Sequence, residues 1–283
     1  MSKQKILFLS PYPFGKAPSQ RLKYEQYYPF FEAAGFDITT SSFIDDDLWS
    51  VIYKKGNYIK KILGVARGYL RRLRDLFRIR QFDIVYNHLW ITPLGLPIEE
   101  YLFTKVAKSF VYDIDDMIYL SPNNSWWYKA IKGKYKPIIL MKNANFVFTS
   151  SPSLQEFVNQ YNKNNTLILA SYDTQKFQPI KEHQQKEKVV VGWTGTHSTL
   201  KYLEIVAPTL LKLQQEKNIE FLVISNAPYQ HKNLKVNNIE WNATTEFEDL
   251  KKIDIGIYPL EKDQWVLGKS GNKALAYMSC GIP

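Results

Sequence analysis

Short apolar runs alternate along the chain with longer segments in which apolar residues recur every three or four positions. The short runs predict strands, and the longer segments predict helices between them. Strands are predicted at 5–10, 36–40, 83–87, 109–113, 146–150, 166–170, 189–194, 220–225, 239–241 and 254–258. This alternation is typical of α/β domains built on parallel sheets.

Local signals set the expected helix boundaries. The first helix is expected to begin near Ser19, a residue that can act as N-cap, and to stop at Gly35, which suits the C′ position. Later helices are predicted at 199–216, 246–252 and 270–279. Helices and strands therefore follow one another in both halves of the chain.

The stretch 173–188 is polar, contains a proline and lacks a periodic apolar face, so it predicts a linker. Two domains are expected, at 1–172 and 189–283, which fits the length of 283 residues. The final helix runs into the chain end where a doubly wound domain would place its next strand. The second domain is therefore expected to be incomplete at its C-terminus, with an unpaired sheet edge.

Composition narrows the class of protein. No apolar run approaches the roughly 18 residues that a membrane span requires, and the N-terminal apolar run is too short for a signal peptide. The single cysteine, Cys280, has no partner within the chain and is predicted to be a core residue. These features favour a cytoplasmic protein.

Positive charge is concentrated in residues 54–80, which hold ten Lys or Arg and one acid, Asp75, within a net charge of +10 for the whole chain. The apolar residues of this stretch recur at helical spacing: Ile59, Ile62, Leu63, Ala66, Leu70, Leu73 and Phe77. The pattern predicts a basic amphipathic helix whose cations surround one apolar face. Such a helix favours an anionic membrane surface over nucleic acid as its partner.

Three aspartates stand close together in VYDIDDMIYL, residues 111–120. Strand alternation puts Asp113 and Asp115 on one side and Asp116 on the other. Two carboxylates at a strand end can bind a divalent cation. Alternatively, Asp113 and Asp116 cap the following helix and bond to backbone amides. The residues alone leave both interpretations open.

Two glycine-bearing turns at predicted helix starts are candidate phosphate sites. The first, in GWTGTHSTLKYL, offers glycines for close backbone approach and hydroxyls beside them: Gly192, Thr194, Gly195, Thr196 and Ser198. The second, in DQWVLGKSGNK, adds lysines that can neutralise a diphosphate: Gly268, Lys269, Ser270, Gly271 and Lys273. A nucleotide is the ligand class that both turns favour.

Taken in order, several motifs resemble the GT-B-fold glycosyltransferases, specifically the retaining group known as family 4. In the first half these are SPYPFGKAPSQRLKYEQYYPFFEAAGF, FDIVYNHLW, VYDIDDMIY and FVFTSSPSLQEFV. In the second half they are VVVGWTGTHSTLKYLE and DIGIYPLEKDQWVLGKSGNKALAYMSCGIP. The resemblance implies two Rossmann-like domains, an N-terminal acceptor domain and a partial C-terminal donor domain.

The resemblance also implies an activity, the transfer of a sugar from a nucleotide diphosphate sugar to a membrane-linked or polysaccharide acceptor, with retention and without a metal or other cofactor. Both phosphate turns would bind the donor, with Lys269 stabilising the leaving group. Gly15, Arg21 and His88 would lie on the acceptor side. Asp115 stands where relatives often carry a histidine, and it would bind a sugar hydroxyl or orient the acceptor nucleophile.

The chain departs from the family pattern at four positions. Trp193 and Ser198 stand where many members have an arginine and a lysine, and Gly268 and Ala276 stand where they have two glutamates. The glutamate missing at Ala276 normally grips the donor ribose. A second interpretation is therefore an inactive, truncated relative that binds an anionic membrane and glycan at the inner face of the membrane.

Overall fold

The computed structural model describes residues 3–120, 125, 133, 135–179, 187–261 and 264–283. The chain divides into two compact units. The first unit comprises Met1–Ala170 with Leu267–Ser270, and the second comprises Ser171–Val266 with Gly271–Pro283. Residues 180–186 of the expected linker lie outside the described residues.

The first unit is built on a six-stranded parallel sheet. Its strands are β1 (Gln4–Ser10), β2 (Phe36–Ser42), β3 (Ile84–His88), β4 (Phe110–Ile114), β5 (Phe146–Thr149) and β6 (Asn165–Leu167). The spatial order is β2-β1-β3-β4-β5-β6. All six strands predicted from the sequence of this half are confirmed, and their carboxyl ends meet at one edge of the sheet.

Seven described α-helices accompany this sheet: α1 (Pro18–Lys23), α2 (Tyr28–Ala33), α3 (Asp46–Ile52), α4 (Tyr58–Arg78), α5 (Ile98–Val106), α6 (Lys136–Asn143) and α7 (Pro152–Val158). Within the described part of the chain, no helix combines the length and the hydrophobicity needed to cross a membrane. An aromatic core centred on Phe8, Tyr24 and Tyr86 packs α1 and α2 against β1 and β3.

The expected single helix from Ser19 to Gly35 is wrong in its continuity. It is divided into α1, the 3-10 turn Glu25–Tyr27, and α2, because Pro29 lies in the first turn of α2 and cannot continue a preceding helix. Ala17, not Ser19, is the N-cap of α1. Gly35 is confirmed as the residue after the helix, with a φ of +91° that glycine adopts without strain.

The long helix α4 packs through small and polar residues at helical spacing, namely Gly64, Gly68, Arg72 and Asp75, which are all buried. A Cβ at Gly64 would come within 2.9 Å of Leu48, and one at Gly68 within 2.7 Å of the Phe43 ring. Only glycine therefore allows α4 to lie this close to the rest of the unit. The apolar face of α4 points away from the core as a consequence.

The second unit has a four-stranded parallel sheet in the order β10-β7-β8-β9. Its strands are β7 (Val189–Gly195), β8 (Ile219–Ser225), β9 (Asn237–Glu240) and β10 (Ile255–Gly256). The remaining helices are α8 (Ala207–Glu216), α9 (Glu246–Leu250), α10 (Gln264–Leu267) and α11 (Asn272–Ser279). The strands predicted in this half are confirmed.

The helix expected over 199–216 begins differently from the prediction. Residues His197–Ile205 form a 3-10 helix, and α8 starts only at Ala207. Pro208 lies in the first turn of α8, where its missing amide costs no hydrogen bond, but it cannot lie inside a continuous α-helix without disrupting it. The loop after β7 therefore leads into a 3-10 helix.

Candidate functional site

A buried polar cluster occupies the carboxyl ends of β3 and β4 in the first unit. His88, the last residue of β3, is in register with Asp113 of β4. His88 Nδ1 lies 3.0 Å from Asp113 Oδ2, and His88 Nε2 lies 3.8 Å from Asp115 Oδ1. One imidazole ring therefore faces a carboxylate on each side, and both aspartates lie on the same side of the chain, as strand alternation predicted.

Asp113 is held by three side chains. It accepts hydrogen bonds from Tyr86 Oη at 2.8 Å and from Lys23 Nζ, besides its contact with His88. Burial alone would raise the pKa of Asp113, but the Lys23 ammonium and His88 outweigh it and lower that pKa to about 2. An ionised carboxylate can only accept, so His88 Nδ1 is the donor of their shared hydrogen bond.

The other side of the imidazole is unsatisfied. Asp115 Oδ1 and His88 Nε2 are buried and have no hydrogen-bond partner among the residues described. Their separation of 3.8 Å is too long for a direct hydrogen bond. Because buried polar atoms normally have partners, hydroxyl groups of a bound ligand or water can complete this pair.

The contacts of the three aspartates test the two interpretations of them, a divalent-cation site and helix capping. The helix-capping interpretation is wrong for Asp113, whose carboxylate bonds to side chains from α1 and β3. Across the described ranges, no group of three or more His, Cys, Asp or Glu side chains is placed to hold a metal ion. A divalent cation beside Asp113 would also meet the Lys23 ammonium.

The N-terminal loop that contains Gly15 is fixed by side chains that follow it in sequence. Gly15, with φ +74°, donates its amide to Glu25 Oε2 at 2.9 Å. Gln20 bonds to both Tyr12 and Glu25. Burial raises the pKa of Glu25, although Gly15, Gln20 and the charge of Arg21 all favour its ionised form. The loop has a defined shape, with half-buried Arg21 beside it on α1.

In the second unit, Lys273 of α11 reaches the carboxyl end of β7. Its Nζ lies 5.3 Å from the centroid of the Trp193 ring and 4.9 Å from that of Tyr258. A Cβ at Gly195 would come within 2.7 Å of Lys273 Cε and 2.5 Å of the Trp193 ring. Gly195 therefore makes room for the lysine, and two predicted donor-binding residues, distant in sequence, lie side by side.

Two other predicted donor-binding residues have structural roles in β7. The amide of Thr194 donates to Tyr277 Oη at 3.0 Å, and that hydroxyl lies 3.2 Å from the carbonyl of Ile257. A Cβ at Gly192 would come within 2.3 Å of Ile253. Packing against Ile253 is therefore enough to explain the glycine at 192, and the amide of Thr194 is already occupied.

The hydroxyls after β7 lie nearer to solvent. Thr196 Oγ1 and Ser198 Oγ are 2.9 Å apart, and Ser198 is exposed. His197, also exposed, donates its amide to Asn226 Oδ1 at 2.7 Å, and its Nδ1 lies 3.2 Å from Asn226 Nδ2. Asn226 directly follows β8, so the end of the neighbouring strand holds this loop in place.

The second predicted phosphate turn is divided between the units. Gly268, Lys269 and Ser270 belong to the first unit, whereas Gly271 and Lys273 belong to the second. Gly271 is the N-cap of α11 and has φ +69°, which explains the glycine at this helix start. Lys269 is half-buried.

Ala276, which the resemblance aligns with a ribose-binding glutamate, lies in a core. Ala276 is buried in an apolar cluster of the second unit, together with Ile253, Cys280 and Ile282. The prediction that Cys280 is a core residue is confirmed. A carboxylate at 276 in this packing would be desolvated, so this chain does not use that position to grip a ribose.

The apolar face of α4 forms an exposed surface, with 75% of Ile59, 66% of Leu70 and 83% of Phe77 accessible. Arg72, one of the ten cations expected around this apolar face, does not lie at the surface. That guanidinium is fully buried and donates to backbone carbonyls of the first unit, those of Ser10, Ser41 and Ile91. Arg72 is therefore a structural residue.

Sequence reasoning missed Lys23, Tyr86 and Gln20, which position the predicted residues. Lys23 lies two positions after Arg21 on α1, and its side chain is almost fully buried against Asp113. A buried lysine requires a charged partner, but nothing local in the sequence marks this lysine as buried. The contact depends on strand order, because only β3 separates β1 from β4 in the sheet.

No protein-family model and no curated protein matches this chain, whereas solved structures do. The apo form of the lipopolysaccharide outer core galactosyltransferase WaaB is similar with a TM-score of 0.58 at 12% identity, over 99% of this chain and 79% of that one. HepE of Anabaena in complex with UDP has a TM-score of 0.55 at 13% identity, over 99% and 79%.

The catalytic domain of starch synthase IV from Arabidopsis thaliana, bound to ADP and acarbose, is similar with a TM-score of 0.57 at 10% identity, over 90% of this chain and 78% of that one. At such identities the similarity concerns the fold. The chain has the α/β fold of the GT-B glycosyltransferases, with a parallel sheet in each unit, as its motifs predicted.

Proposed function

We propose that this protein is a retaining, family 4 glycosyltransferase that uses a nucleotide diphosphate sugar and needs no metal. The observation that carries the proposal is the position of Lys273 beside Gly195 at the carboxyl end of β7. Ligands of open parallel sheets bind outside the carboxyl ends of the strands, and an ammonium group there can neutralise a diphosphate. The similar structures that hold UDP and ADP support the same ligand class.

In this proposal, the donor phosphates contact the loop after β7 and Lys273. Thr196 and Ser198 supply hydroxyl donors, Gly195 allows close approach, and Gly192 and Thr194 shape the strand beneath them. Negative charge builds up on the departing nucleoside diphosphate, so a fixed cation stabilises the transition state more than the ground state. The same role is proposed for Lys269, with Gly268, Ser270 and Gly271 as further phosphate contacts.

The acceptor-side chemistry belongs to the cluster around His88. Asp115 accepts a hydrogen bond from an acceptor or donor-sugar hydroxyl and so orients it, and His88 supplies the second contact. Asp113 and Lys23 hold the imidazole in one tautomer and orientation. Arg21 and the loop with Gly15 form the remaining acceptor-side surface.

We also propose that the enzyme works at the inner face of a membrane on a lipid-linked or polysaccharide acceptor. The exposed apolar face of α4, with exposed Lys60 and Arg74 on the same helix, supports this location. An interfacial helix of this type buries its apolar face among lipid chains and its cations among anionic headgroups.

One observation favours a second candidate function, a glycan-binding and membrane-binding relative without turnover. Ala276 lies in the core, so one family contact to the donor is missing. A lost hydrogen bond between a carboxylate and a ribose hydroxyl is worth roughly 1.5 to 3 kcal/mol. Nucleotide release from sugar donors in the presence of membrane extract separates the two functions, because only the enzyme produces it.

The proposed donor site is tested by titrating UDP, GDP and ADP with and without a chelator, in the wild type and in Lys273→Ala and Lys269→Ala. Binding should be independent of the chelator and roughly tenfold weaker in each variant, since a charged hydrogen bond is lost. Lys232→Ala, an exposed lysine of the second unit, is the matched control. The proposal would be contradicted if nucleotide binding is lost in the presence of the chelator and is unchanged in both lysine variants.

A further inference from the structure

An apolar groove of about 480 Å³ runs between α4 and α5 in the first unit. Its apolar lining comes from both helices: Leu70, Leu73, Leu76, Ile98, Leu102 and Phe103. Phe103 is fully buried at its base, whereas Leu70 and Ile98 are 66% and 59% exposed at its sides. The exposed apolar surface of the unit therefore extends beyond α4 onto α5, which the sequence pattern of residues 54–80 did not indicate.

Both walls of the groove are fixed by polar contacts, one exposed and one buried. Tyr69 of α4 donates its hydroxyl to the carbonyl of Leu94, in the loop before α5, at 2.8 Å. Lys136 of α6 lies 3.2 Å from Glu100 of α5 and donates to the carbonyl of Leu94 at 2.8 Å. Lys136 and Glu100 are both almost fully buried. The groove is thus preformed, and a ligand entering it need not order its walls.

The groove starts at the edge of the sheet that carries the acceptor-side cluster. In a parallel sheet the connecting segments return from the carboxyl ends of the strands, and α5 follows the end of β3 in this way. The helix α4 reaches the same edge at Arg72, in its second half. Arg72, which lines the groove, donates to the carbonyl of Ser10 at the end of β1 and to that of Ile91. Ile91 follows His88 by three residues.

The exposed cations of the two helices that form the groove favour a lipid with an anionic head over a neutral one. Residues 54–80 carry ten Lys or Arg against one acid. Lys60 and Arg74 of α4 and Lys105 of α5 are exposed, and Glu99 is the acidic residue in the lining. Besides Glu99, the lining includes Tyr69 and Arg72, whose polar groups bond to backbone carbonyls. The remaining lining side chains are hydrocarbon, which suits a lipid chain rather than a sugar.

We propose that the groove between α4 and α5 binds the hydrocarbon chain of a lipid phosphate, the acceptor lipid, so that its head lies at the carboxyl edge of the sheet. That the lipid is the acceptor rests on the proposed function, whereas binding of a hydrocarbon chain in the groove does not. The chain would bury the apolar walls, and burial of such surface contributes in proportion to its area. A lipid acceptor is thereby favoured over a free polysaccharide.

The direct test is photo-crosslinking with a photoactivatable dodecyl phosphate, added below its micellar concentration. Crosslinks should map to α4 and α5 residues of the groove, and unmodified dodecyl phosphate should compete while methyl phosphate does not. Leu73→Gln with Leu102→Gln, both in the lining, should weaken binding by roughly tenfold, because less apolar surface would pack against the hydrocarbon chain. Ile59→Gln with Phe77→Gln removes exposed apolar residues of α4 outside the lining and should leave binding unchanged.

Each other outcome overturns the proposal. If both double variants bind dodecyl phosphate equally weakly, the lipid adsorbs to the whole apolar face rather than to the groove. If no crosslinks form and the protein self-associates on sedimentation, a second copy covers the groove. In the transfer assay, the groove variant should need more membrane extract for half-maximal nucleotide release, and an unchanged requirement would exclude the acceptor role. UDP titration of the same variants is the independent readout of the proposed donor site, and it should not change.

Discussion

His88 Nε2 and Asp115 Oδ1 face each other across 3.8 Å, both buried and both without a hydrogen-bond partner among the described residues. On the other side of the ring, Asp113 fixes Nδ1 as a donor. The imidazole is therefore oriented by one carboxylate and left open toward the other. This asymmetry is what a site for ligand hydroxyls requires, because the protein supplies the orientation and the ligand completes the hydrogen bonds.

Asp115→Asn should lower the rate of sugar transfer and leave nucleotide affinity unchanged. The amide keeps the shape of the carboxylate but loses its charge, so it orients a hydroxyl poorly. The expected decrease is on the order of 100-fold in kcat, the lower range for a positioned acid or base group. Nucleotide release at saturating donor measures it, with the exposed Glu32→Gln as control. A variant with wild-type kcat would remove Asp115 from the site.

Asp113→Asn should destabilise the first unit by about 3 to 5 kcal/mol at neutral pH, because it leaves the buried Lys23 ammonium without its partner. Urea unfolding followed by circular dichroism measures this change. Exposed Asp37→Asn on β2 is the control and should change stability little.

The ion pair of Lys23 with Asp113 also predicts how the unfolding free energy of the first unit changes with pH. The pKa of Asp113 is lowered to about 2, below the ordinary aspartate value of about 3.9. Its stabilising contribution is therefore complete above that ordinary value and is lost as the pH falls toward about 2. The difference in unfolding free energy between the wild type and Asp113→Asn should shrink on acidification through this window. A difference that grows there would contradict the ion pair.

Arg72→Gln should destabilise the first unit strongly, whereas Arg74→Gln should not. Arg72 is buried and bonds to three carbonyls, so its removal leaves buried acceptors unpaired, at a cost of about 1 to 3 kcal/mol each. Asp75 keeps Arg78 as a partner. Arg74 is 63% exposed, and exposed pairs contribute at most about 1 kcal/mol. Equal unfolding midpoints in urea would show that the Arg72 hydrogen bonds do not form.

Removal of the exposed cations near α4 should release the protein from anionic vesicles. The substituted residues are Lys54, Lys55, Lys60, Arg74 and Arg80, each replaced by Gln. Each is worth about 1 kcal/mol near an anionic surface, less as salt screens it. Arg72 must be retained, because its removal would unfold the unit rather than test the surface.

The matched control for the vesicle experiment removes the same charge from the second unit, at Lys201, Lys212, Lys217, Lys232 and Lys235. This control should bind anionic vesicles as the wild type does in a cosedimentation assay. Binding that depends only on net charge would reduce both variants equally. Equal binding of the wild type to neutral and anionic vesicles would also contradict an electrostatic contribution.

The strands could be predicted because each is a short apolar run with a clear end, and the doubly wound order follows from their alternation with helices. The helix breaks near Pro29 and Pro208 were missed, although proline, which has no amide to donate within a helix, marked both of them. The orientation of α4 could be predicted only in part. Periodicity shows that the helix has an apolar face but not whether that face is buried or exposed. Gly64 and Gly68 on the opposite face indicate that the helix packs through its small residues.

The candidate site was harder to predict than the fold. His88 and Asp115 were identified from motifs, but the role of Asp113 depends on Lys23 and Tyr86, which reach it through the tertiary structure. The predicted donor-binding residues also fall into two groups, those that lie together at the candidate site and those that serve the packing. Lys273 and Gly195 are neighbours in space, whereas Gly192 is a glycine because Ile253 packs against it. Sequence motifs cannot distinguish a glycine kept for a ligand from one kept for a side chain.

The ion pair of Lys23 with Asp113 also constrains how the chain folds, because it joins residues 90 positions apart. During synthesis, α1 emerges long before β4, and the Lys23 ammonium must remain hydrated until Asp113 arrives. We therefore expect α1 to dock only after β3 and β4 have paired, because its contacts have high sequence separation. Until then the aromatic side chains of α1 and α2 would stay accessible to solvent, and surface of this kind is prone to aggregation during folding.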